Sequence, residues 1–325
     1  MLLENTINKF KHRKILVVGD IVADQFLYGA ISRVSREAPV FILRHEQTET
    51  VPGGAANAAL NVAALGANCT LLGVVGSDEN GRKIVENLLA KGVETKFLIH
   101  SETWTTTTKI RIFAGQPHAP RQQVIRIDYE NETVPEIETE TIRNLKLAAE
   151  NAHAVIVSDY NYGAASKAII TELMNITGEK DVPVFVDSRF RLADFSGATA
   201  ATPNEDEVED IWQKRFKTVA ELETASEELR ARLGLQALLV TRGKNGMILL
   251  EKEKSPQHFA AVGSEDAVDV TGAGDTVMAT FALARTSSAS FAEAAAMANH
   301  AGGLAVMKRG TATVTEKELL NSILS

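Results

Sequence analysis

Short runs of apolar, largely β-branched residues recur along the chain, with helical patterns between most of them. Each run is continuous rather than alternating, which is typical of strands buried on both faces of a parallel sheet. The apolar runs are residues 14–19, 70–76, 154–158, 182–187, 198–202 and 237–241. The helical patterns are residues 55–65, 82–91, 138–151 and 166–174. The order predicts an α/β fold, a mostly parallel sheet between helices, with ligands beyond the carboxyl ends of its strands.

Two regions alternate apolar and polar positions instead, which indicates strands with one wet face. They are residues 38–45 and the pair 105–113 with 122–129, joined by a loop over 114–120 that is rich in Gly and Pro. We interpret them as a small antiparallel β lid formed by inserted segments at about 24–46 and 104–130. The sequence has no internal repeat or low-complexity linker, so we expect one domain over residues 1–325.

The last third of the chain carries two more helical patterns, at residues 275–285 and 291–308. The second is rich in alanine, so it can pack closely against a planar ring or against another helix. The pattern alone leaves both interpretations open.

Composition and charge restrict the partners of the protein. The net charge is -8, and the lysines and arginines are scattered, so we expect neither nucleic acid nor a membrane surface as a partner. The N-terminus is polar, and the apolar stretches are shorter than the roughly 20 residues of a membrane span. The single cysteine, Cys69, lies in an apolar run and is expected to be a buried thiol. These features favour a cytoplasmic protein.

Small residues precede the apolar helix predicted from residue 275. Backbone amides at Gly272, Ala273 and Gly274 can point the same way and form an anion pocket at a helix N-terminus. Asp275 follows directly, where a base would take a proton from a hydroxyl that attacks a phosphate. The alternative is that Asp275 only caps the helix.

Two further segments follow predicted strands and have a chemical and a structural interpretation each. The loop with Thr241, Gly243 and Gly246 can wrap phosphates, or it is only a tight turn. Asn204 and Glu207 are three residues apart, which suits a hydrated Mg²⁺ beside phosphates. The same spacing is that of a capping box at a helix start.

Neutral and acidic polar groups near the N-terminus suit a ligand with hydroxyl groups. Gly53, Gly54 and Asn57 open a predicted helix and can offer amide donors to a sugar. Asp20 ends the first predicted strand and Asp24 follows one turn later, where carboxylates can accept hydrogen bonds from vicinal hydroxyls. Solvated carboxylates are the alternative.

Together, these motifs closely resemble the ribokinase-like (PfkB) family of carbohydrate kinases, in the right order from residue 14 to about residue 318. The resemblance implies a three-layer ribokinase-like fold, Asp275 as the base, and ATP with Mg²⁺ as cofactors, with a monovalent cation as an open question. It implies a sugar site and an ATP site made of the residues named above. The ATP site adds Thr271 and Asn299 to Asn204, Thr241, Gly243 and Gly246, with Glu207 holding Mg²⁺ through water.

Within the family, the sequence is most similar to the bacterial D-glycero-β-D-manno-heptose 7-phosphate kinases. The similarity rests on residues 18–20, 24, 28–29, 32–35, 37–40, 52–57, 108–111 and 125–128. It implies a phosphorylated sugar, for which Arg33, Lys109 and Arg111, with Arg126, would form a cationic socket. The sequence departs from the pattern of these kinases at Gln25, Arg36, Tyr162 and the tripeptide 187–189, and the loop over 114–121 is long.

Other functions stay open at this point. Fructose, fructose phosphate, ribose or a nucleoside would suit the same family. A catalytically silent sugar-sensing protein would have no use for a base at Asp275. A nicotinamide dehydrogenase would need a G-x-G-x-x-G turn after the first strand, which here reads Val18-Gly19-Asp20. Exposed strand edges on the lid need covering, and this predicts a homodimer through the lid.

Overall fold

The computed structural model describes residues 2–115, 121–131, 136–263 and 267–324. In this part of the chain the strands are β1 (Lys14–Gly19), β2 (Ile21–Val34), β3 (Phe41–Gly54), β4 (Asn68–Leu72), β5 (Val74–Gly76), β6 (Ile99–Ser101), β7 (Thr108–Gly115), β8 (Gln122–Tyr129), β9 (Ala154–Asp159), β10 (Val184–Ser188), β11 (Ala200–Ala201), β12 (Ala237–Thr241), β13 (Met247–Glu251) and β14 (Gln257–Phe259). The α-helices are α1 (Leu2–Ile7), α2 (Ala55–Ala64), α3 (Glu79–Ala90), α4 (Glu138–Ala148), α5 (Lys167–Glu179), α6 (Glu205–Trp212), α7 (Val219–Leu233), α8 (Ala273–Thr286), α9 (Phe291–Val306) and α10 (Glu316–Leu324).

The main sheet has the order β14-β13-β12-β11-β10-β9-β1-β4 in the described residues. Strands β4 to β12 in this order are parallel, and β13 and β14 add an antiparallel edge. On β1, Ile15 and Val17 face one layer of helices, and Leu16 and Val18 face the other. Both faces are therefore buried, as the continuous apolar runs predicted.

Helices cover this sheet in two layers. Apolar residues of α2, α3, α8 and α9 join the core on one face, and residues of α4, α5, α6 and α7 join the core on the other. The alanine-rich α9 packs on α8, which is one of its two expected uses. None of the helices in the described ranges is long and apolar enough to cross a bilayer.

A second sheet, with the order β3-β2-β7-β8, stands beside the main one. The predicted pairing of residues 105–113 with 122–129 is confirmed as the antiparallel pair β7 and β8. The long strand β2 was not predicted as a strand, although its residues fall partly in the expected lid segment. It is buried on both faces at its start and exposed at its end, so no single period spans it.

Some boundaries also differ from the prediction. The run 70–76 divides into β4 and β5, because β5 leaves the main sheet and pairs with β6. The run 198–202 forms only the two-residue strand β11. Of the predicted loop over 114–120, residues 116–120 lie outside the described residues.

Candidate active site

The N-terminal turn of α8 forms an anion pocket. Gly272 precedes the helix with φ of 75°, and a Cβ there would lie 2.5 Å from Nδ2 of Asn57, so only glycine fits. The Ala273 amide donates to the Val270 carbonyl at 3.3 Å. The amides of Gly274 and Asp275 have no acceptor within the helix, so they and the helix dipole favour a bound anion.

Asp275 is the third residue of α8, and it does not cap the helix, which begins without a side-chain cap. Its Oδ2 accepts a hydrogen bond from Nδ2 of Asn57 at 2.7 Å. Its Oδ1 is buried and accepts no hydrogen bond of normal length from the described residues, although the Tyr160 side chain is close enough to lower the pKa of this carboxyl group. Burial raises the pKa of Asp275 to about 7. The side chain can therefore exchange a proton near neutral pH through an oxygen that is free to accept it.

Asp275 is one of the residues that line a polar cavity of about 190 Å³. Four cationic and two acidic side chains meet there, which suits a ligand that combines hydroxyl groups with negative charge. The wall consists of Val22, Asp24, Gly54, Lys109, Arg111, Arg126, Tyr160, Arg189, Thr271, Gly272, Asp275 and Thr311.

Lys109 and Arg111 reach this cavity from β7, but only one of them is neutralised. Arg111 forms an ion pair with Asp24. Lys109 is buried, and its ammonium group lies 5.2 Å and 5.5 Å from the ring centroids of Tyr160 and Tyr162. Burial also lowers the pKa of Lys109. The two rings hold a cation that forms no ion pair with any residue of the described ranges.

Arg126 and Arg189 complete the cationic wall from opposite sides. Arg126, on β8, is bound by both carboxylate oxygens of Asp128, at 2.7 Å and 2.5 Å. Arg189 follows β10, is exposed, and has no ion-pair partner in the part of the chain that the structure describes. Lys109 and Arg189 are thus the cations available to a ligand.

A second cavity of about 190 Å³ lies on the other side of the α8 N-terminus. Valines and glycines form much of its wall, so a flat apolar ring could lie there with polar groups at one end. The wall consists of Thr241, Gly243, Lys244, Gly246, Met247, Ala261, Val262, Ala267, Val270, Ala273, Gly274, Val277, Asn299, Gly302, Gly303 and Val306.

The two cavities meet at residues 270–275. Thr271, Gly272 and Asp275 face the polar cavity, whereas Val270, Ala273 and Gly274 face the apolar one. A phosphate chain extending from the second cavity would therefore reach the anion pocket beside a hydroxyl bound in the first. This is the arrangement that transfer of a phosphoryl group requires.

Asn204 and Glu207 form the capping box at the start of α6. The Asn204 side chain accepts from the Glu207 amide at 2.9 Å, and the Glu207 carboxylate accepts from the Asn204 amide at 2.9 Å. Asn204 also forms a bridge to Thr241, so the cap adjoins the second cavity. The capping box, which was the structural interpretation of this spacing, is therefore present. It uses one carboxylate oxygen of Glu207 and leaves the other available to a ligand.

The surroundings of Glu207 fit a divalent cation. Burial and then the Glu207 carboxylate raise the pKa of Asp187, and burial raises the pKa of Glu207. A cation would offset the charge of both groups. The described residues contain no group of three or more His, Cys, Asp or Glu side chains that could hold a metal. A Mg²⁺ ion here would thus take most of its ligands from water and phosphates.

Two of the predicted sugar-binding residues in the N-terminal segment shape the site from behind. A Cβ at Gly53 would lie 2.3 Å from Oδ2 of Asp24, so the glycine allows the strand to pass close to that carboxylate. Asn57 is fully buried and binds Asp275, which places it behind the base. The prediction had placed its amide against the ligand.

Three other predicted residues are engaged elsewhere. Asp20 accepts hydrogen bonds from the amides of residues 160, 162 and 164, at 2.7 to 3.0 Å, and so fixes the loop after β9. Arg33 is exposed near the end of β2 and outside both cavities. Asn299 lines the second cavity, but its Nδ2 donates to the Ala260 carbonyl at 2.6 Å.

Sequence reasoning noted the tripeptide 187–189 only as a departure near the expected phosphate and sugar contacts, and it assigned no role in the site to Asp187, Arg189 or Tyr160. All three follow or end strands β9 and β10, where the rule on carboxyl ends of parallel strands would have selected them. It also missed Asn61 and Thr276, which lie behind Asn57. One helical turn separates Asn57 from Asn61, and that spacing on α2 was the only available signal.

Comparison with known proteins agrees with this geometry. The family model described as "pfkB family carbohydrate kinase" matches residues 12–318. Bifunctional protein HldE of Gluconobacter oxydans (strain 621H) is 38% identical over 326 residues, 98% of this chain and 66% of that protein. The protein of the same name from Coxiella burnetii (strain Dugway 5J108-111) is 39% identical over 318 residues, 98% of this chain and 65% of that protein. The chain thus spans slightly less than two thirds of the length of these relatives.

Solved structures share the fold. Arabidopsis thaliana ribokinase complexed with ribose and ATP superposes with a TM-score of 0.74 at 21% identity, covering 96% of this chain and 98% of that one. Escherichia coli phosphofructokinase-2 in complex with potassium gives a TM-score of 0.78 at 15% identity, with the same coverage of 96% and 98%. These similarities confirm the expected ribokinase-like fold, with a large mostly parallel sheet and a small second sheet.

Proposed function

Because the chain belongs to the pfkB family of carbohydrate kinases, we propose that it transfers the γ-phosphoryl group of ATP to a hydroxyl of a sugar phosphate. The lead substrate is D-glycero-β-D-manno-heptose 7-phosphate, which would become the 1,7-bisphosphate. The observation that carries the proposal is the meeting of the two cavities at the α8 N-terminus, with Oδ1 of Asp275 free at the junction.

In this mechanism, the sugar lies in the polar cavity with its reacting hydroxyl next to Oδ1 of Asp275. The carboxylate accepts the hydroxyl proton as the oxygen attacks the γ-phosphorus, and the bond from this phosphorus to the β-phosphate oxygen breaks, so that ADP leaves. The amides of Gly274 and Asp275 bind the charge that develops on the transferred group. Mg²⁺, held by Glu207 through water, would neutralise part of the phosphate charge.

Two features support a substrate that already carries a phosphate. Lys109 and Arg189 lie in the polar wall without a carboxylate partner in the described residues, and a second phosphate would supply one. The motifs shared with the heptose 7-phosphate kinases include Lys109 and Arg111 on β7. An unphosphorylated sugar would leave the two cations without an anionic partner in direct contact, and they would act only by lowering the pKa of Asp275 and of Glu207.

A substrate screen tests this proposal. ATP consumption would be measured with the heptose 7-phosphate, fructose 6-phosphate, fructose, ribose and a nucleoside. We expect turnover with phosphorylated sugars and the highest kcat/KM with the heptose phosphate. Turnover with unphosphorylated sugars alone would reject the substrate while keeping the kinase. Sugar binding without any ATP consumption would favour a sugar-sensing protein instead.

The lid supports a further proposal, a homodimer formed through β8 and its neighbours. Ile125, Ile127 and Tyr129 on this edge strand are 52%, 38% and 54% exposed, as is Phe41 on the opposite edge strand, β3, at 58%. Exposed apolar side chains on an unpaired strand edge favour association with another copy.

Light scattering tests this dimer. The unchanged chain is expected to have the mass of two copies, and the double variant Ile125→Glu and Ile127→Glu is expected to be a monomer, because it buries charge in the interface. Leu147→Glu is the matched control, since Leu147 is 51% exposed and lies on α4, which is not part of the second sheet. A monomeric unchanged chain would end the proposal.

A further inference from the structure

A chain of buried hydrogen bonds runs from α2 and the first turn of α8 to the carboxylate of Asp275. The Thr276 hydroxyl donates to Oδ1 of Asn61 at 3.0 Å. Nδ2 of Asn61 lies 3.3 Å from Oδ1 of Asn57, and Nδ2 of Asn57 donates to Oδ2 of Asp275 at 2.7 Å. Asn57, Asn61 and Thr276 are fully buried. None of the three lines either cavity.

Main-chain carbonyls fix the direction of every link. The Asn61 atom that lies 3.0 Å from the Asn57 carbonyl must be the nitrogen, because two acceptors would repel each other. Its Oδ1 then faces the Thr276 hydroxyl, which is the donor of this pair and also lies 3.3 Å from the Gly272 carbonyl. The Asn57 atom between Asp275 and the Gly272 carbonyl, at 3.4 Å from the latter, must likewise be the nitrogen. The base thus meets a donor and never an acceptor.

The chain also makes the two oxygens of Asp275 different. Oδ2 is bound by Asn57, whereas Oδ1 accepts no hydrogen bond of normal length in the described residues, with the Tyr160 side chain nearby. Asp275 itself lines the polar cavity. A carboxylate that is held at one oxygen cannot rotate freely, so its other oxygen keeps one direction. Positioning of this kind is worth a large factor in rate, since a small displacement of a reacting group is costly.

On the basis of the proposed function, we propose that Asn61 and Thr276 are positioning residues. They hold Asn57 so that its amide group binds Oδ2 of Asp275, which leaves Oδ1 as the atom that accepts the proton of the substrate hydroxyl. Asn57 acts in the same way through direct contact with the base.

The hydrogen bond from Asn57 also stabilises the ionised form of Asp275, against the effect of burial, which raises its pKa. Loss of alignment in the chain should therefore raise this pKa further. The variants below leave unchanged all other titratable groups that act on the carboxylate or line the same cavity. These are Asp24, Lys109, Arg111, Arg126, Tyr160, Asp187 and Arg189.

The test replaces Thr276 by valine, which keeps the shape of the side chain and removes the donor. We expect kcat to fall about 10- to 100-fold, with the KM values for ATP and sugar unchanged, because neither cavity is touched. The acid limb of the kcat/KM profile should move to higher pH. Thr276→Ser keeps the hydroxyl and should restore both values. Thr276→Ala, which cannot clash, replaces the valine variant should that one fail to fold.

Thr280→Val is the matched control. Thr280 is buried one turn further along α8, and its hydroxyl donates to the Thr276 carbonyl at 2.8 Å rather than to Asn61. Its kcat and pH profile should equal those of the unchanged protein. Equal losses of kcat in the Thr276→Ser and Thr276→Val variants, or no change in either, would overturn the positioning role.

A titration separates this inference from the proposed function. In the ligand-free protein, carboxyl carbon NMR follows Asp275, whose signal is identified by its loss in Asp275→Asn. We expect a midpoint at about pH 7 in the unchanged protein and a higher midpoint in Thr276→Val, with recovery in Thr276→Ser. A midpoint that stays constant in all variants would refute the inference even if the protein is a kinase. The expected shift would support it even if no tested sugar reacts.

Discussion

Replacement of Asp275 by asparagine is expected to lower kcat by about 10²- to 10⁴-fold, the range that general acid–base catalysis contributes. The amide cannot take a proton from the attacking hydroxyl. Because the anion pocket consists of backbone amides at the start of α8, it should persist, and ATP binding should be almost unchanged. Steady-state kinetics and calorimetric titration with ATP measure the two quantities separately.

Although Asp275→Asn is expected to lower kcat, it should not lower the stability of the fold at neutral or higher pH. The pKa of Asp275 is raised from 3.8 to about 7 by burial, so the folded state keeps this proton after the unfolded state has lost it. The free energy of unfolding therefore decreases as pH rises between these two values. Asp275→Asn lacks this decrease, and its melting temperature above pH 7 should equal or exceed that of the unchanged protein.

Asp194→Asn is the matched control, since Asp194 is exposed and away from both cavities. It should leave kcat and the pH dependence of stability as they are. An Asp275→Asn variant that retains most of its activity would show that another group accepts the proton. A large loss of ATP affinity would show that the substitution had disturbed the pocket.

The strands that were predicted correctly are those whose burial stays the same along their length, because the apolar pattern of the sequence then has one period. β1 and β12 match the predicted runs residue for residue, because both faces of these strands are buried except at Lys14 and Thr241, the first residue of β1 and the last of β12. β2 was missed because it passes from the buried body into the exposed lid within 14 residues. β4 and β5 form one apolar run in the sequence, and only their different partners separate them.

The residues of the candidate site also fall into two groups, those placed by local sequence and those placed by contacts between distant segments. The glycine turn and Asp275 are contiguous, so their joint geometry follows from a helix start. Asp20 could not be placed correctly, because the three amides that it binds belong to a loop 140 residues and more away in the sequence. Asn57 was expected to face the ligand, and only the packing of α2 against α8 reveals that it faces the base.

Substitution of either unpaired cation of the polar cavity, Lys109 or Arg189, is the second change for which we expect a large effect on catalysis. Arg189→Gln and Lys109→Gln should each lower kcat/KM for a phosphorylated sugar by about 10- to 100-fold. This corresponds to the roughly 1.5 to 3 kcal/mol of a hydrogen bond to a charged group. The loss should appear chiefly in KM if the cations bind a phosphate that does not react.

Arg33→Gln supplies the control, since Arg33 is an exposed arginine of the lid that lies outside the cavity. Its kcat/KM should be close to that of the unchanged protein. An unphosphorylated sugar supplies the second comparison, because a cation that binds only the substrate phosphate cannot affect it. Equal losses with both kinds of sugar would instead show that Lys109 and Arg189 act on the reaction itself, through the transferred phosphoryl group or through Asp275 and Glu207, whose pKa values they lower. The cationic side chains would then take part in the reaction. Specificity for one sugar would depend on the neutral and acidic side chains of the polar cavity.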